Sequence, residues 1–119
     1  MDIPKIFDSE YRFCLILWEH EPVNSTRLAA LCKLQLGWSK ATTYTVIRRL
    51  AERGVLKNEN ATVTSLVSKE QVQESELEEF VEKTFEGSVP ALLAVFANSK
   101  KLSESEVAQL KELIDNYRG

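Results

Sequence analysis

The stretch Trp38-Ser39-Lys40-Ala41-Thr42-Thr43-Tyr44-Thr45-Val46-Ile47-Arg48-Arg49-Leu50 decides the fold. At 100° per residue, Thr43, Val46, Ile47 and Leu50 fall on one face, which has the composition of a buried stripe. The opposite face centres on Ala41, Thr45, Arg48 and Glu52, flanked by Thr42, Tyr44 and Arg49, so small hydroxylated side chains and two arginines look outward. Ser39 supplies the N-cap. Gly54 ends the helix, because a residue without Cβ enters the left-handed region at little cost. The spacing predicts a helix over residues 40–53, with Trp38 ahead of its cap as an aromatic staple against the preceding helix.

Upstream, Phe7, Tyr11, Cys14, Leu15, Leu17 and Trp18 repeat at helical spacing, with Asp8 or Ser9 as N-cap, and the helix stops near His20, before Pro22. Asn24 or Ser25 caps a second, short helix whose apolar stripe is Leu28, Ala29, Leu31 and Cys32, extended by Leu34, and which ends at Gly37. Downstream of Gly54 the period changes. Val55-Leu56-Lys57, the turn residues 58–61 and the β-branched run 62–67 read as a two-stranded hairpin. Three helices followed by a hairpin make a winged helix-turn-helix. Ser68 then caps a long helix to about Phe85, and Ser88 with Pro90 opens an almost wholly apolar helix over 90–98. A Ser103/Glu106 capping box starts the last helix, with Val107, Leu110, Leu113, Ile114 and Tyr117 on one side. The fold class is therefore mainly α: a winged helix-turn-helix domain over 1–68 and a helical domain over 69–119.

At 119 residues, with 44% hydrophobic and 28% charged residues, the chain has the size and composition of a soluble globular protein. No apolar run approaches the roughly 20 residues that span a bilayer, and the first residues lack a secretory pattern, so we read the chain as cytoplasmic and not inserted in a membrane. Cys14 and Cys32 sit in apolar helical patterns and read as buried free thiols. They and His20 form no zinc-ligand spacing, and no cofactor motif is present. Glu74, Glu78, Glu79 and Glu82 lie along a solvated helix side without a histidine beside them, which argues against an enzyme. His20, at a helix end, reads as a partner of the terminal carbonyls.

The net charge of −3 is unevenly spread. Residues 1–58 hold nine Lys/Arg against six Asp/Glu, and residues 59–119 hold six against twelve. Phosphate would attract the first part and repel the second, so any contact with DNA belongs to the first. On that reading Thr42, Tyr44, Thr45, Arg48 and Arg49 face base edges and backbone in the major groove. Ser39 and Lys40, at the positive end of the helix, suit phosphates. Lys57 in the first wing strand is a further phosphate candidate, although the wing tip Asn58-Glu59-Asn60 carries an acid and no arginine. The plain alternative is a solvated helix side, but helix propensity disfavours threonine on an exposed face that has no other use. A second alternative is a winged-helix protein-interaction module with lost or weak DNA binding, suggested by the acidic balance and the poor wing.

One such helix reads few bases, whereas a two-fold dimer pairs two half-sites one DNA turn apart. The C-terminal helices offer the surface. Leu92, Leu93, Val95 and Phe96 exceed what so small a lobe buries alone, and Phe80, Leu110 and Leu113 extend the set of dimerisation candidates.

Ile16-Leu17-Trp18, the run from Gly37-Trp38-Ser39 through Thr43-Tyr44-Thr45 to Arg48-Arg49-Leu50, Arg53-Gly54-Val55-Leu56 and Leu102-Ser103-x-x-Glu106 together resemble the penicillinase-repressor family of winged-helix regulators (BlaI/MecI type), which also includes copper-responsive repressors. The resemblance covers about residues 3–118. It implies a homodimeric transcriptional repressor on a palindromic operator, often released when a membrane-bound sensor metallopeptidase pathway leads to cleavage in the dimerisation region. The family's scissile Asn-Phe bond aligns with Val95 and Phe96, where valine replaces the asparagine. Copper-sensing relatives carry C-terminal Cys-x-Cys pairs, and this chain has no cysteine after Cys32.

Overall fold

The computed structural model describes residues 2–99 and 101–117. The chain divides into two compact units, one reaching to Ser75 and one beginning at Glu76. Among the described residues the first unit holds α1 (Asp8–His20), β1 (Val23–Asn24), α2 (Ser25–Leu36), α3 (Lys40–Glu52), β2 (Leu56–Glu59), β3 (Thr62–Ser65) and the start of α4 (Lys69–Phe85). It is a winged helix-turn-helix, as the sequence predicts.

Its core gathers one stripe from every element. Phe13 and Leu17 of α1, Leu28 and Cys32 of α2, Ile47 and Leu50 of α3, Leu56 of β2, Val63 of β3 and Val72 of α4 are all buried. The compact unit extends past the expected 68/69 boundary because Val72 belongs to this core. Both cysteines are free and buried. Burial pushes the Cys14 thiol up to about 12, with the neighbouring Glu10 carboxylate adding to the rise, so it stays protonated at neutral pH.

The N-cap of α1 is Phe7, not Asp8 or Ser9: its backbone N–H donates to Glu10 Oε1 at 2.9 Å, so the cap comes from a carboxylate inside the helix. Of the two residues offered for α2, Asn24 is the cap, its Oδ1 accepting from the Thr26 N–H at 2.8 Å. The expected two-stranded hairpin is part of a three-stranded antiparallel sheet of order β1-β3-β2, because Val23 and Asn24 pair with Val63 and Thr62. A two-residue strand has no period to read. Helix α3 stops at Glu52 with Arg53 as its C-cap, β3 stops at Ser65, and α5 (Val89–Asn98) begins one residue before Pro90. His20 Nδ1 donates to the Ile16 carbonyl at 2.9 Å, as its place at a helix end suggests.

In the second unit, Ser88 caps α5 through the Ala91 N–H, and α6 (Glu104–Asp115) opens with the expected reciprocal Ser103/Glu106 box at 3.1 and 3.0 Å. Phe80 and Phe85 of α4 meet edge to face at 5.8 Å. No residue of α5 or α6 is buried. No described helix is long and apolar enough to cross a membrane.

The wing turn stores strain. Glu59 pairs with Thr62, so Asn60 and Ala61 alone close the hairpin, and both are left-handed at φ +52° and +63°. Asparagine tolerates that region, but alanine pays about 1–2 kcal/mol for it. Glycine gives back part of this gain through a more flexible unfolded chain. Ala61→Gly should therefore stabilise the protein by about 0.5–1 kcal/mol in denaturant unfolding; a loss of stability would mean that the turn is not left-handed at residue 61.

Candidate nucleic-acid interface

The geometry of α3 follows from how it is held. Thr43, Val46, Ile47 and Leu50 are buried, as predicted. The Thr43 hydroxyl lies in the core without a conventional hydrogen-bond partner, and it leans on the Cys32 thiol of α2, whose upward shift by burial it opposes. At the N-terminal end Trp38 is half-buried and stacks on Phe13, with ring centroids 6.1 Å apart and planes 6° from parallel. The expected staple between the second and third helices thus finds its aromatic partner on α1. At the other end the Arg53 guanidinium pairs with Glu10 of α1, donates to the Lys5 carbonyl at 2.9 Å and lies over the Phe7 ring at 5.5 Å. Glu10 is a buried carboxylate, so this ion pair and the Phe7 N–H together satisfy it. Two anchors to α1, one at each end, fix where the outer face of α3 points.

That outer face holds most of the predicted contact residues. Ser39, Lys40, Thr42, Arg48 and Arg49 are exposed, and Thr45 is half-buried. The Ser39 hydroxyl caps the Thr42 N–H at 3.1 Å, and the two hydroxyl oxygens lie 2.9 Å apart. Tyr44 departs from a simple outward pose. Its ring is half-buried against the core, with the Lys40 ammonium 5.8 Å from its centroid. The Thr26 and Ser25 hydroxyls beside it, helped by Lys40, hold its phenol below the ordinary tyrosine value. Tyr44 therefore faces the first turn of α2. Arg27, exposed in that same turn, adds a cation that the wheel of α3 alone does not reveal.

Lys57 is exposed on β2, but its ammonium lies 3.8 Å from the Glu59 carboxylate. The wing turn is itself tethered: the Ser25 N–H donates to the Ala61 carbonyl at 2.8 Å. The wing turn and Tyr44 thus both reach Ser25.

A winged helix-turn-helix whose third helix offers hydroxyl and guanidinium groups to solvent defines the class of winged-helix DNA-binding proteins. Residues 6–116 match the family described as penicillinase repressor, and the chain belongs to that family of transcriptional repressors. It is 24% identical over 115 residues to the methicillin resistance regulatory protein MecI of Staphylococcus aureus, covering 93% of this chain and 94% of that protein. It is 21% identical over 120 residues to the penicillinase repressor of Bacillus licheniformis, covering 98% and 94%. An uncharacterized 16.5 kDa protein of Latilactobacillus sakei is 27% identical over 114 residues, covering 92% and 78%. Among solved structures, monomeric BlaI of Bacillus licheniformis in complex with the blaP half-operator superposes with a TM-score of 0.52 at 24% identity, covering 59% of this chain and 90% of that one. This last likeness is one of fold.

The Tyr44 contacts make a spectroscopic prediction. Removing the donor hydroxyl by Thr26→Val should raise the Tyr44 phenol pKa toward the ordinary value, because that bond favours the ionised form. An ultraviolet pH titration against a Tyr44→Phe control isolates this phenol, and an unchanged titration would remove Thr26 as its partner.

Proposed function

We propose that this chain represses transcription by binding a palindromic operator as a homodimer, with α3 of each copy in the major groove. The observation that carries the reading is the sidedness of α3: one face is buried in the core, and the other offers Thr42, Thr45, Arg48 and Arg49 to solvent. Arginine recognises guanine acceptors and threonine the thymine methyl. Ser39 and Lys40 serve phosphates at the helix start and Tyr44 faces α2, whereas Lys57, with Glu59 3.8 Å from its ammonium, is left out of this contact set. The likeness to a protein solved on a half-operator supports this placement.

The second unit supports the dimer. Phe80 is 48%, Phe96 41% and Leu113 68% exposed, with Leu92, Leu93 and Leu110 half-buried beside them in sequence. So much exposed apolar surface on a small unit marks an association surface. Its acidic balance keeps that unit off DNA. We further propose that repression is relieved by a signal that breaks the dimer. The peptide between Val95 and Phe96 is the candidate cleavage site for a pathway headed by a membrane-bound sensor metallopeptidase. Both residues are exposed, at 52% and 41%, but they lie inside α5, so cleavage there requires local unwinding.

Binding to duplex DNA from the chain's own promoter region should fall steeply with salt. Arg48→Ala should cost about 1–3 kcal/mol of affinity with little change in folding stability, and Lys40→Ala should flatten the salt slope by about 1. Absence of binding at low salt would favour the protein-interaction module instead. In sedimentation the wild type should be a dimer, whereas Leu93→Glu or Phe96→Glu should give folded monomers that no longer hold the operator. A stable wild-type monomer at micromolar concentration would contradict the dimer.

A further inference from the structure

We infer that Glu59 holds the wing electrically neutral toward DNA, and that removing its charge turns Lys57 into a working phosphate contact. The inference rests on the DNA-binding reading above and deepens it, by assigning one residue the task of lowering affinity.

Lys57 and Glu59 are the sole charged residues between Leu56 and Ser65. They stand two apart on β2, so both side chains project from the same face of the hairpin, opposite Thr64 and Thr62. Their charged atoms lie 3.8 Å apart, with the side chains 50% and 71% exposed. An ion pair this exposed contributes almost nothing to stability. Its consequence lies in the field it leaves. A carboxylate about 4 Å from an ammonium cancels most of the pull on a phosphate within the roughly 10 Å that salt allows a surface charge to act.

The wing cannot escape this neutrality by reaching further out. Two residues close its turn, the minimum for a hairpin, and the Ala61 carbonyl is held by the Ser25 N–H. Ser25 opens α2, whose first-turn hydroxyls lie beside the Tyr44 phenol of α3, so the wing turn and α3 both meet that short segment of α2. A cation placed there is near the DNA backbone, and a carboxylate beside it is near the same phosphates. The wing therefore contributes no net attraction as it stands, and operator reading falls to α3.

Phosphate contacts are independent of sequence, so a 24-base-pair duplex of random sequence is a sufficient probe. Its binding would be followed by fluorescence anisotropy over a salt series for wild type, Glu59→Gln, Lys57→Ala and the double variant. Glu59→Gln should bind about three-fold tighter at low salt, and its slope of log K against log salt should steepen by about 0.9, the value for one added phosphate contact. Lys57→Ala, which leaves the Glu59 carboxylate unmasked, should weaken binding of the wild type by a similar factor, and in the double variant it should abolish the whole gain. An unchanged Glu59→Gln overturns the inference, and so does a gain that survives in the double variant, since Glu59 would then act without Lys57. If the wild type binds and Arg48→Ala weakens it while Glu59→Gln does nothing, the wing inference fails alone. If the wild type shows no salt-dependent binding, the DNA reading fails with it.

Discussion

The burial of one side of α3 is the constraint on which everything else rests. A recognition helix must show a slim, polar face to the outside and stay rigid while doing so, which is possible only if the opposite face is locked in a core. Here Thr43, Val46, Ile47 and Leu50 supply that lock, and the ends of the helix are pinned separately. Trp38 stacks on Phe13 at the start, and Arg53 clasps the buried Glu10 at the finish. Both pins run to α1, so α1 serves as the frame that sets the direction of α3. The tyrosine on the outer side, Tyr44, packs its half-buried ring against the same core and faces the hydroxyls of Ser25 and Thr26.

The helix and its faces were legible because each rests on local, periodic signals. The 3.6-residue stripe, the Ser39 cap and Gly54, with its φ of +80°, are all visible within one window of sequence. What stayed hidden depends on pairing across the chain. Glu10 and Arg53 are 43 residues apart, and nothing in either neighbourhood announces the other. The same pair explains the misread cap of α1: Glu10 turns back to the Phe7 N–H while it holds Arg53, so a carboxylate inside the helix replaces a capping side chain ahead of it. The strand β1 is two residues long and exists only because β3 has a free edge for it. The angle of Tyr44 on the helical wheel puts it on the outer face. Its ring leans back because the first turn of α2 offers two hydroxyls within reach.

The charge changes sign inside the first unit, within the wing, and not at the unit boundary after Ser75. The basic excess lies before residue 58 and the acidic excess after it, and the exposed apolar side chains of α5 and α6 lie in the acidic part. In the proposed repressor dimer, these are complementary demands. The reading unit must attract phosphate, and the pairing unit must bury apolar surface without competing for DNA. Membership of the penicillinase repressor family fits this division.

The most direct test of the central claim is a backbone amide NMR titration of the protein with duplex DNA from its own promoter region. The account predicts that the largest shifts fall within residues 39–49 and in the first turn of α2, while amides beyond residue 76 keep the positions they have in the free protein. Shifts concentrated in α5 and α6, with those of α3 unmoved, would contradict it.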